Sequence, residues 1–116
     1  MFSEDIHTSA VPAVARDLVY ERLRAEGWTV TEQGHFSAVA ERGSTTMMVL
    51  LGVFSGAHNI HVKCRIQTFA TAEGGAAVRI KRIATPEYAG KAGVRKAEEI
   101  LADYCEKFRD ELPAVK

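Results

Sequence analysis

The sequence is poor in the features that announce a function. It has two cysteines, Cys64 and Cys105, too few for the disulfide framework of a small secreted domain. It has no excess charge, since 15 Lys and Arg balance 15 Asp and Glu. A neutral chain has no whole-molecule pull toward nucleic acid or an anionic membrane. It has no long hydrophobic run. The longest, Met47 to Phe54, covers eight residues and is far short of a membrane span. Its first eight residues carry Glu4 and Asp5 in place of a basic stretch followed by an apolar one. The expectation is a cytoplasmic protein without a membrane segment.

What is present is ordinary globular composition. At 116 residues, with 47% apolar and 26% charged, the chain is expected to form one domain spanning 1–116. Folding at this size buries about 65% of the surface that the unfolded chain exposes, enough for a core without staples. Residues 1–8 are expected as a flexible lead-in and 113–116 as a tail.

Helical spacing opens the chain. Ser9 is placed to cap a helix with Pro12 in its first turn. Val11, Val14, Ala15, Leu18 and Leu23 form its expected apolar face. Gly27 is placed to end it in a left-handed conformation, with Trp28 packing back.

From Trp28 the period falls to two. Strands are expected at 28–31, 36–41, 45–54, 60–72 and 76–83, with turns at Gln33-Gly34-His35, Arg42-Gly43-Ser44 and Glu73-Gly74-Gly75. In the fourth, Ile60, Val62, Cys64 and Ile66 point one way and His61, Lys63, Arg65 and Gln67 the other. A two-residue turn before the fifth strand would oppose inner and outer faces. A three-residue loop with a left-handed glycine keeps them matched and sets Thr68 opposite Ile80.

Thr85-Pro86-Glu87 reads as the start of a second helix reaching Glu111, with Ala97, Ile100, Leu101, Tyr104, Phe108 and Leu112 as its stripe. Gly90 and Gly93 each cost about 1 kcal/mol relative to Ala and weaken its first turns. The fold class is therefore α+β: a five-stranded antiparallel meander sheet with N- and C-terminal helices on one face.

Two surfaces stand out. Met47, Met48, Val49, Leu50, Leu51, Val53 and Phe54 make a strand apolar on both sides, and the second side needs a cover. A self-association surface, most simply a two-fold dimer, is the expected use. A pocket for an apolar or acyl ligand between sheet and helices is the alternative. Lys63, Arg65, Arg79 and Lys81 fall on one outer face and form a candidate anion surface. A solvated sheet face explains them as well, and single-strand binders add stacking aromatics where only Phe69 is present here.

The chemical motifs are weak. His35, His58, His61 and Cys64 suggest a metal, but His61 and Cys64 stand three apart on one strand and point to opposite faces. Cys64 and Cys105 have no activating neighbour in sequence, and Ser55-Gly56 has a turn explanation. Gly90-Lys91-Ala92-Gly93 lacks the spacing of a phosphate loop. The expectation is a non-enzymatic interaction module with no metal or cofactor.

Overall fold

The structure, a computed structural model, describes residues 2–43, 61–83 and 90–114. Within them lie strand β1 (Ser3–Thr8), helix α1 (Pro12–Ala25), strands β2 (Thr29–Glu32), β3 (Ser37–Arg42), β4 (Val62–Ala70) and β5 (Ala76–Arg82), and helix α2 (Gly90–Glu111). The sheet is five-stranded and antiparallel throughout, in the order β1-β5-β4-β3-β2. The α+β class with a helix toward each end is as expected.

One of these five strands lies where the sequence suggests none. The expected strand at 45–54 lies outside the described residues. Residues 3–8, expected as a flexible lead-in, form edge strand β1, with Ile6 opposite Val78 and Asp5 opposite Arg79. Ile6 and Thr8 are buried, while Ser3, Asp5 and His7 share the other face. One buried aliphatic on an edge strand is too little alternation to announce itself. Because β1 and β2 occupy opposite edges, α1 carries the chain across the sheet.

Both helices cover one face. The inward set Ile6, Ala38, Ala40, Val62, Cys64, Ile66, Val78 and Ile80 joins Ala15, Val19, Tyr20 and Leu23 of α1. Ala97, Ile100, Leu101, Tyr104, Cys105 and Phe108 of α2 complete the core. The stripe expected on α2 is buried as written, down to Leu112. The stripe expected on α1 is rotated: Val11 and Val14 are 52% and 54% exposed, and Val19 and Tyr20 are buried in their place. The helix carries two adjacent apolar faces, and the one bearing the larger Tyr20 packs.

Local signals act as predicted at the end of α1 and differently at its start. Gly27 sits at φ +90°, Trp28 N–H donates to Leu23 O at 2.9 Å and Gly27 N–H to Arg24 O at 3.1 Å. That pair of bonds is a Schellman closure. Trp28 then packs edge-on against Tyr104 of α2, with ring centroids 5.3 Å apart. At the start, Val11 occupies the cap position without a side-chain bond. Ser9, expected as the cap, instead donates its N–H to Pro113 O at 3.1 Å.

The β4–β5 hairpin keeps the expected face parity but shifts by one loop position. Thr71 N–H donates to Gly75 O, and Gly74, at φ +87°, donates to Thr71 O. The three-residue loop is therefore Ala72-Glu73-Gly74, and Thr68 faces Val78 where Ile80 was expected. Gly75 belongs to the strand side because a Cβ there would lie 2.1 Å from Thr8 O.

Candidate functional site

The outer face of β3, β4, β5 and β1 brings together all four cations of the candidate anion surface. In one cross-strand row Val39, Arg65, Lys81 and Ser3 stand side by side; in the next, Ser37, Gln67, Arg79 and Asp5. Lys63 lies opposite Glu41. Period-two alternation places these side chains outward because their neighbours Cys64, Ile66, Val78 and Ile80 are drawn into the core.

The cations are not equivalent. Arg79 holds Asp5 through two hydrogen bonds, Nε to Oδ1 at 2.8 Å and a terminal nitrogen to Oδ2 at 3.1 Å. Its guanidinium also lies 5.0 Å from the centroid of the Phe69 ring. The hydrogen bond from Arg79 holds the Asp5 carboxyl below its ordinary range; burial opposes it, and the charges of Arg79 and His7 add to the lowering. Arg65 and Lys81 are exposed and Lys63 is half-buried. Among the described residues these three enter no ion pair. An open depression of about 430 Å³ beside them is lined by Ser3, Glu4, Asp5, Gln67, Arg79 and Lys81, so its own charges balance. Asp5 is the residue that sequence reasoning missed. The alternation of Ser3, Asp5 and His7 against Ile6 and Thr8 was its one signal.

The thiols are inert by position. Cys64 faces the core on β4, and burial pushes its thiol up to about 12 despite a backbone hydrogen bond at Ala40. Cys105 on α2 is fully enclosed, and its thiol too is raised to about 12, by burial first and by Glu4 second. Both are free thiols. Neither is a thiolate near neutral pH, so neither is a ready nucleophile.

The histidines do not converge. His61 is buried and its Nε2 meets Glu41 Oε1 on the outer side of the sheet, away from Cys64. His35 gives its backbone carbonyl to Arg16 at 2.7 Å. His58 lies outside the described residues, and no three His, Cys, Asp or Glu among the described residues cluster to hold a metal.

A second hollow, of about 420 Å³, lies where the end of β1 meets the β4–β5 loop, between His7, Ser9, Thr71 and Glu73. Neither hollow lies between the sheet and the helices, where Tyr20, Ile66, Ile80, Leu101 and Phe108 are all enclosed. The candidate interface residues Met47, Met48, Val49, Leu50, Leu51, Val53 and Phe54 lie outside the described residues, as does Ser55. No helix among the described residues is long and apolar enough to cross a membrane.

No protein-family model and no curated protein matches the chain.

Proposed function

We propose that this protein is a non-enzymatic interaction module that self-associates through the apolar segment Met47–Phe54. The observation that carries the reading is the contrast between that run and its flanking strands. β3 and β4 alternate, with Ala38, Ala40, Val62, Cys64 and Ile66 inward and Ser37, Glu41, Lys63 and Arg65 outward. The run from Met47 to Phe54 has no polar side chain with which to follow that rule. Burying about 400 Å² of such surface contributes roughly 10 kcal/mol before the costs of association. A two-fold contact between copies is the simplest cover.

Two further observations favour interaction over catalysis. The two thiols are held protonated in the core. The buried His61 is engaged by Glu41, not aimed into either hollow. The reading places the protein in the cytoplasm, where unbridged cysteines are the ordinary state.

Light scattering of the purified protein tests it. At high ionic strength the wild type is expected to be a dimer, and Leu50→Glu or Met48→Lys a monomer with an unchanged circular dichroism spectrum. A wild type that stays monomeric at high concentration defeats the reading.

A further inference from the structure

The charge of this molecule sums to zero but is not evenly spread. One side of the sheet carries Lys63, Arg65 and Lys81 without ionic partners among the described residues. On the other side of the molecule α2 buries Ala97, Leu101, Tyr104 and Phe108 against the sheet. Its opposite face presents Glu99, Asp103, Glu106 and Asp110, all exposed. Those four recur at intervals of four, three and four residues, which is one straight stripe on a helix.

Three of the four acids in the stripe are left without an ion pair among the described residues. Lys107 is drawn to Glu26 at 3.4 Å and Arg109 to Glu4 at 2.7 Å. Lys96 reaches Glu99 at 3.7 Å. Asp103, Glu106 and Asp110 enter no ion pair among the described residues. The two patches also match in reach. Asp103 to Asp110 spans about 10 Å of helix. Lys63, Arg65 and Lys81 cover about 8 Å corner to corner, two residues along a strand and one strand across.

We propose that the cationic face of β4 and β5 docks the acidic stripe of α2 on a second copy of the chain, head to tail. The complementarity lies between two different faces of one chain, so the contact is heterologous and propagates into rings or open chains. It is a polar contact, made and broken by salt. It does not rest on the apolar segment, which is a different surface.

Sedimentation at low and high ionic strength, with two paired variants, tests it. Wild type is expected to show a concentration-dependent rise in mass at low salt that weakens by about tenfold in affinity when salt is raised tenfold. Arg65→Ala with Lys81→Ala, or Asp103→Ala with Glu106→Ala, each removes that salt-sensitive fraction; all four positions are solvent-facing, so the circular dichroism spectrum is unchanged. Mixing the two variants, each carrying Leu50→Glu as well, restores association but stops at one-to-one pairs, because each then supplies only one competent face. The Leu50→Glu variant keeps the salt-sensitive step. A wild type without that step, variants that retain it, or a mixture that stays apart would each overturn the proposal. So would a monomeric wild type that binds polyglutamate through Arg65 and Lys81, which would make the occupant a foreign acidic chain.

Discussion

Arg79 grips Asp5 across the β1–β5 pair with two parallel hydrogen bonds, and thereby removes one cation from the face it shares with Arg65 and Lys81. Both side chains are more than a third exposed, 43% and 35%, so the pair contributes at most about 1 kcal/mol. Asp5→Ala is expected to lower stability by that much or less at neutral pH, measured by urea denaturation. Asp5 has a lowered carboxyl pKa, so its contribution is present above the ordinary carboxylate range of about 4 and fades as the folded-state group protonates. The gap between variant and wild type therefore closes in acid, below the ordinary carboxylate range.

Glu26 adds to the same acid sensitivity. Burial alone would raise its carboxyl, but the hydroxyl of Tyr104 at 2.9 Å and the ammonium of Lys107 outweigh that, and the net direction is down. Its stabilisation is likewise complete above the carboxylate range and lost below it. Tyr104→Phe removes the strongest of these bonds without changing the ring that packs on Trp28. A loss of about 1 kcal/mol is expected at neutral pH and little loss in acid.

Two neighbouring glycines are expected to respond differently to the same change. Gly75→Ala would drive a methyl to 2.1 Å from a backbone carbonyl, which cannot yield without moving β1. A cost of about 3 kcal/mol is expected from such overpacking. Gly74→Ala meets no atom within 4 Å and pays only for its positive φ, about 1 kcal/mol. Thermal melts of the two variants distinguish a crowded position from a strained one; equal shifts would contradict the register described for this hairpin.

Thiol labelling reads the core directly. Cys64 and Cys105 are each about 1% exposed or less, and protonated. Their modification by an aromatic disulfide reagent is expected to be slow in native buffer and to accelerate with denaturant in step with unfolding. Rapid reaction of either thiol without denaturant would show that α2 lifts from the sheet.

The sequence makes some of this legible, and the residues show where legibility ends. The alternation from Val62 to Gln67 is unbroken, so it identifies β4, its inner face and the cations beside it. The stripe of α2 and the glycine closure of α1 are equally local. The rotation of α1 is not local, since Val14 and Val19 offer rival apolar faces and the sheet decides between them. The loop position between β4 and β5 was beyond reach for a related reason. Parity excludes half of the registers, but the choice of Gly74 as the loop residue depends on Thr8, far away in sequence. The same distance hid Asp5 as the partner of Arg79.

One carbonyl near the end of the chain holds the beginning. Pro113 O accepts the hydroxyl of Thr8 at 2.6 Å and the N–H of Ser9 at 3.1 Å, just where β1 hands over to α1. Of the described strands β1 is therefore made first, yet its end is tied by a group made after all of them. A nascent chain can pair β2 with β3 as it emerges, but β1 must wait for β5 before it has a neighbour and for α2 before it is fastened. Until then Ile6 stays wet, and an N-terminal segment with a bare edge is available to any other unfinished copy on a nearby ribosome.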